Sequence, residues 1–120
     1  MIYTSYYGKL SRKDVSDVVL VQVSNTKPDW FPHEVVNWSK LAPDWRDINA
    51  YREGALPVEM FKERYIGKLN SQYNKDEIIS DIYTLMESGN VILLCWEKTG
   101  QVCHREWLSE WLDIGIAEMN

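Results

Sequence analysis

The sequence lacks any apolar run approaching the roughly 20 residues that a membrane span requires. Its first seven residues lack the basic start and the long apolar middle of a signal peptide, so we expect no export signal and no membrane association. Cysteine is also scarce, with 2 in 120 residues, which argues against a disulfide-built extracellular scaffold. Together these absences predict a cytoplasmic protein in a reducing compartment.

Positive charge is not in excess either. The formal net charge is -5, whereas a protein that binds DNA or RNA through the phosphates needs a basic surface. An early cluster of Lys9, Arg12 and Lys13 is most simply explained as a solvated loop. We therefore expect no general nucleic-acid binding and look instead for a small ligand.

Internal repeats, low-complexity tracts and Gly/Ser-rich linkers are absent as well. The length suits one compact core, and a hydrophobic content of 45% is ordinary for a globular protein. We expect a single domain over residues 1–120. The sequence leaves the oligomeric state open, a homo-oligomer included.

What is present is an alternation of strand and helix patterns. Aliphatic runs predict strands over residues 2–5, 17–24, 91–95 and 116–118. Apolar residues at helical spacing, with capping residues beside them, predict four helices. The first runs from near Asp44 to near Gly54, and the second from Pro57 to beyond Leu69. The third begins near Asn74 and ends before Gly89, and the fourth begins near Cys103 and ends before Gly115. This order predicts an α/β fold: a small Rossmann-like three-layer domain with a mostly parallel sheet.

Residues 25–43 break the alternation because three prolines interrupt them. The stretch and its end carry several aromatic side chains, among them Trp30, Trp38 and Trp45. A long aromatic-rich loop is more often functional than a mere connector. Exposed tryptophans here would also suit a surface that binds a partner protein.

Reactive residues concentrate after the 91–95 strand, in Cys95-Trp96-Glu97-Lys98 and Cys103-His104-Arg105. Ligands of open α/β sheets bind in loops that leave the carboxyl ends of strands. We therefore predict the site in the strand-to-helix loop 95–105. Its candidate catalytic residues are Cys95, Glu97 and Cys103, and its candidate ligand-binding residues are Tyr6, Trp96, His104 and Arg105.

The first functional interpretation is a binding pocket for a nucleotide or another small anionic ligand. Arg105 and the backbone amides at the start of a helix would bind the anionic group. Glu97 would bind a polar edge of the ligand, and Trp96 or Tyr6 would stack on its planar ring. A simpler role for Glu97 and Arg105 is an ion pair that shapes the loop.

The second interpretation is an enzyme in nucleotide or nucleic-acid modification, with Cys103 or Cys95 as a nucleophile activated by the helix start. Zinc held by Cys95, Glu97, Cys103 and His104 is an alternative that the spacing does not favour, since seven residues separate the cysteines. A tight phosphate cradle is disfavoured because Gly100 is the loop's one glycine. A disulfide between the cysteines would be regulatory rather than structural.

With these residues in view, the chain resembles the YeaO-like family of uncharacterised bacterial and phage proteins. The matching segments are Leu93–Lys98 and Cys103–Arg105, which carry a C-x-E and a C-H-R signature, with further matches at 3–6, 41–43, Tyr65 and Leu69. The resemblance implies a small Rossmann-like domain whose site is Cys95, Glu97, Cys103, His104 and Arg105. It implies no particular reaction.

Overall fold

A computed structural model of the chain describes residues 1–97 and 102–119. Lys98 and Gly100, which entered the sequence predictions, lie outside the described residues. The described strands form one five-stranded sheet of order β3-β2-β4-β1-β5, in which each neighbouring pair is parallel. The strands are β1 (Ile2–Tyr6), β2 (Val18–Gln22), β3 (Val36–Asn37), β4 (Asn90–Cys95) and β5 (Ala117–Glu118).

Helices cover both faces of this sheet. They are α1 (Tyr7–Leu10), α2 (Trp45–Arg52), α3 (Val58–Gln72), α4 (Lys75–Met86) and α5 (His104–Leu112), with a short 3-10 turn over Ser39–Leu41. The α/β class and the three-layer Rossmann-like arrangement predicted from the sequence are confirmed, with a sheet that is parallel throughout the described strands.

The alternation of side chains along β4 divides the core between the two faces. Val91 and Leu93 pack in a large cluster with α3, α4 and α5, whereas Ile92 and Leu94 face a smaller cluster around Tyr7. Side chains in a strand point alternately to opposite faces, and β4 is covered on both. This explains why its sequence is a continuous apolar run.

Two predicted helix ends lie where the sequence places them but differ from the expectation in detail. Asp44 stands at the N-cap of α2 without making a capping hydrogen bond, because its Oδ1 instead accepts from Lys68 Nζ at 2.9 Å. Helix α5 ends at Leu112, before Gly115, since Asp113 already adopts a left-handed backbone with φ of 50°. At α4 the prediction is confirmed: the Asn74 side chain accepts hydrogen bonds from two backbone amides of the first turn.

The topology brings three strand ends together. Central β4 lies between β1 and β2, so the carboxyl ends of all three meet at one edge of the sheet. Helix α5 then begins at the same edge, with Cys103 as its N-cap. No helix among the described residues is long and apolar enough to cross a membrane.

Candidate functional site

The two cysteines meet at the carboxyl end of β4. Cys95 is the last residue of the strand and is fully buried, and Cys103 is 3% exposed. Their sulfur atoms are bonded as a disulfide, with Cα atoms 7.4 Å apart. Cα atoms of disulfide-linked cysteines usually lie about 4.4–6.8 Å apart, so this backbone holds the pair wider than a typical bridge.

Arg105 lies behind the cysteines and is fully buried. Its Nη1 donates to the Glu97 carbonyl oxygen at 2.6 Å and approaches Cys95 Sγ at 3.2 Å. Its Nε and Nη2 donate to the two carboxylate oxygens of Glu118 at 3.1 and 2.9 Å. The guanidinium thus donates its hydrogen bonds to groups of the protein. That Arg105 binds the anionic group of a ligand stays a prediction.

His104 is the first residue of α5 and is 9% exposed. Its Nε2 lies 2.6 Å from the carbonyl oxygen of Val23. Burial lowers the pKa of His104 to about 4; the nearby charges of Arg105 and Lys68 act in the same direction, and the hydrogen bond to Val23 opposes them. The imidazole is therefore neutral near pH 7. Because a carbonyl oxygen only accepts, Nε2 carries the proton and Nδ1 keeps a free lone pair.

A cavity of about 470 Å³ opens beside this cluster, at the ends of β2 and β4. Four of the predicted site residues, Trp96, Glu97, Cys103 and His104, line it, together with Val102 of the same loop. Side chains outside the predicted loop also line it: Ser24, Asn25, Thr26, Pro43, Trp45, Ile48, Tyr51, Arg52 and Phe61. A volume in this range suits a small-molecule ligand. The position agrees with the rule that ligands bind outside the carboxyl ends of parallel strands.

Two cavity residues stand in defined positions. Trp96 is 43% exposed, and its indole N–H donates to the Thr26 carbonyl oxygen at 2.9 Å. Edge-to-face contacts with Tyr7 and Trp30 fix the same ring, at 6.0 and 6.3 Å between centroids. Glu97 has a carboxylate oxygen 3.5 Å from Cys95 Sγ, and its other oxygen lies 3.8 Å from Arg52 Nη2.

The predicted site residues therefore divide into two groups. Trp96, Glu97, Cys103 and His104 reach the cavity, while Cys95 and Arg105 form a buried layer behind it. Tyr6 is half-buried and does not line the cavity; its ring lies 5.9 Å from the Arg105 guanidinium carbon.

Sequence reasoning missed the wall that α2 contributes, above all Arg52. The aromatic excess in and after residues 25–43 was the available signal, since it includes Trp45. The exposure of those tryptophans is uneven: Trp30 and Trp45 are 56% and 49% exposed, whereas Trp38 packs against the core.

Comparison with known families gives a match over most of the chain. The model of an uncharacterised domain family, DUF488-N3a, described as the active DUF488-N3 subclade, matches residues 2–114. No curated protein matches the chain. No solved structure matches it either.

Proposed function

The chain belongs to the DUF488-N3a family, and within that frame we propose that it binds a small planar molecule with an anionic group, of nucleotide type. The observation that carries this proposal is the composition of the cavity wall at the ends of β2 and β4. Among the described residues, it combines two partly exposed tryptophans, Trp45 and Trp96, with an exposed cation, Arg52.

The aromatic part of the wall suits a planar ring. Trp96 is held in place by its hydrogen bond to Thr26 and by the edges of Tyr7 and Trp30, so ordering it on binding costs little entropy. Trp45 lines the same cavity with about half of its surface exposed. Stacking of a base on an aromatic side chain contributes about 1–3 kcal/mol.

Arg52 is the cation that faces the ligand. Its side chain is 59% exposed, and the ion pair that it forms with Glu97 is long at 3.8 Å. A contact this exposed contributes little, so Arg52 can turn toward a phosphate or carboxylate. It takes the role that the sequence suggested for Arg105, which is enclosed by Glu118, Cys95 and the Glu97 carbonyl.

Thermal-shift and calorimetric titration with a panel of nucleotides, nucleosides and bases tests the proposal. We expect binding by at least one member, weakened about 5- to 100-fold by Trp45→Ala, which removes a stacking surface. Arg52→Gln should weaken only the anionic members of the panel. Tyr83→Ala and Arg12→Gln are the matched controls, because both residues are exposed and neither lines the cavity.

Unchanged melting temperature with every member at millimolar concentration would overturn the proposal, since a ligand far above its Kd must stabilise the fold that binds it. Equal weakening by Trp45→Ala and Tyr83→Ala would move the binding site away from this cavity.

A second candidate is an enzyme with Cys103 as its nucleophile. The observation that favours it is that Cys103 both lines the cavity and caps the N-terminus of α5, where the helix dipole favours a thiolate. Iodoacetamide labelling of the reduced protein across pH tests it. A half-maximal rate well below the ordinary thiol pKa of about 8.5 supports the candidate, and an ordinary profile removes it.

Two finer points complete the proposal. The C-x-E and C-H-R segments support a relation to the YeaO-like proteins. A cytoplasmic location, proposed from the cysteine usage, would keep Cys95 and Cys103 reduced.

A further inference from the structure

Three metal-binding side chains converge beside the cavity. The sulfur atoms of Cys95 and Cys103 and one ring nitrogen of His104 all lie within 4.8 Å of one another. All three residues are less than 10% exposed. Two thiolates and one imidazole are ligands that zinc prefers.

The backbone suits two separate sulfurs aimed at one point. The Cα atoms of Cys95 and Cys103 are 7.4 Å apart. The sulfurs are bonded to each other in this structure, although the Cα atoms of linked cysteines usually lie only about 4.4–6.8 Å apart. Once the disulfide is reduced, an ion between the sulfurs fits the wider spacing, because each sulfur then reaches the metal rather than the other sulfur.

Hydrogen bonds around the cluster hold the ligands as a metal site needs. Nε2 of His104 donates to the Val23 carbonyl oxygen, which leaves Nδ1 as the nitrogen with a free lone pair. The Arg105 guanidinium lies 3.2 Å from Cys95 Sγ and stabilises negative charge there. Ligands in natural metal sites are oriented by just such outer contacts to carbonyls and charged groups.

We propose that Cys95 Sγ, Cys103 Sγ and His104 Nδ1 bind one zinc ion whose fourth coordination position opens into the cavity. Cys103 and His104 line the cavity, so the open position faces it. Zinc sites with three protein ligands are typical of catalytic centres, whereas structural sites have four. This deepens the proposed function, on which it rests: a ligand between Trp45 and Trp96 would bring a donor atom to the metal.

The same geometry gives Glu97 a place at the site without making it a ligand. Its carboxylate lines the cavity and lies 3.5 Å from Cys95 Sγ. From there it can accept a hydrogen bond from a water molecule or from a ligand group at the open position.

Metal analysis of the full chain, purified under reducing conditions and equilibrated with zinc, tests the site. We expect about one zinc per chain, retained against a weak chelator. Cys103→Ser and His104→Gln should each lower zinc retention at least about tenfold. His33→Gln is the matched control, because His33 also bonds a backbone carbonyl, that of Leu10, but lies outside the cluster.

Substitution by cobalt provides a readout that does not depend on the variants folding. We expect wild-type protein with Co²⁺ to show thiolate-to-cobalt charge-transfer absorption and the intense visible bands of tetrahedral coordination. Reduced wild-type protein that takes up neither zinc nor cobalt overturns the proposal. So does a stable Cys95–Cys103 disulfide that persists in thiol buffers of cytosolic potential.

The two proposals fail separately. Zinc uptake without any response to the nucleotide panel leaves the metal site and removes the proposed ligand. Nucleotide binding that is the same with and without added zinc, in protein that retains no metal, leaves the ligand and removes the metal site.

Discussion

Arg105 and Glu118 form a partly buried bidentate ion pair, with Nε to Oε1 at 3.1 Å and Nη2 to Oε2 at 2.9 Å. The same carboxylate accepts a hydrogen bond from Thr4 Oγ1 at 2.6 Å. This links the start of α5 to β1 and to the last strand. Paired bonds from an arginine fix geometry as well as charge, so Glu118 orients the guanidinium that lies against Cys95.

Glu118→Gln should therefore destabilise the fold. It leaves the fully buried guanidinium without its counter-charge, and removal of one partner of a buried pair costs about 3–5 kcal/mol. Since the Glu118 side chain is 23% exposed, we expect a loss of about 2–3 kcal/mol, measured by urea denaturation near neutral pH.

Glu110→Gln is the control for this prediction. Glu110 pairs with Lys62 at 2.7 Å, but both side chains are largely exposed, so the expected change is below about 0.5 kcal/mol. Equal losses for the two variants would show that burial does not set the strength of the Arg105–Glu118 pair.

Tyr65→Phe tests a hydrogen bond deep in the core. The Tyr65 hydroxyl donates to the Leu41 carbonyl oxygen at 2.6 Å, and the residue is 1% exposed. Removing the hydroxyl leaves a buried carbonyl unpaired, so we expect a loss of about 1–2 kcal/mol in the free energy of unfolding. Tyr73→Phe removes a similar bond, to Lys40 at 2.7 Å, in an exposed setting and should cost clearly less. A larger loss for Tyr73→Phe would contradict the argument.

The main elements of the fold could be predicted because each carries its own local pattern. Strand β4 is a continuous aliphatic run, and α4 has an apolar face with Asn74 as its cap. Shorter elements carry no such signal. Strand β3 is only Val36–Asn37 and forms because β2 offers it an edge to pair with, through Val21 and Gln22.

The candidate site shows the same division. Cys95, Glu97, Cys103 and His104 could be named as candidates because reactive residue types cluster in one segment after a buried strand. The partner of Arg105 could not, because Glu118 reaches it only through the pairing of β5 with β1. Nor could Arg52, since the packing of α2 against the ends of β2 and β4 brings it to the cavity.

The burial of Tyr7 should lower the stability of the fold at alkaline pH. Burial raises its pKa to about 12, partly offset by its 2.7 Å hydrogen bond with Ser24. In the unfolded chain a tyrosine ionises near pH 10, so from about pH 10 to 12 the unfolded state loses a proton that the folded state keeps. Stability contributed by Tyr7 is therefore present below pH 10 and falls as pH rises toward 12, by up to about 2–3 kcal/mol.

Urea denaturation at several pH values between about 9 and 12 measures this effect. Tyr7→Phe should make the stability profile flatter over that range, because phenylalanine cannot ionise. Tyr83→Phe, at a residue that is 50% exposed on α4, should leave the slope unchanged. Identical slopes for wild type and Tyr7→Phe would assign the alkaline loss to other groups.

Gly89 marks the point where the chain turns from α4 into β4 against the segment that enters β2. Its φ is 144°, and a Cβ there would collide with the carbonyl oxygen of Asp17 and lie 3.2 Å from the carbonyl carbon. Backbone atoms give way less easily than side chains, so Gly89→Ala should cost about 2–3 kcal/mol in unfolding free energy.

Variants at two other glycines separate the two contributions to that cost, which are the positive φ and the collision of the added Cβ with the backbone. Gly54 has a φ of 80° but open space around it, so Gly54→Ala should cost only the left-handed backbone penalty of about 1 kcal/mol. Gly67 lies exposed within α3 with nothing near its missing Cβ, and Gly67→Ala should stabilise the protein by about 0.5–1 kcal/mol. Thermal unfolding should thus rank Gly67→Ala above wild type, then Gly54→Ala, then Gly89→Ala. A Gly89→Ala variant no less stable than Gly54→Ala would show that the Asp17 segment moves aside, and that this turn does not fix the approach of β4 to the site.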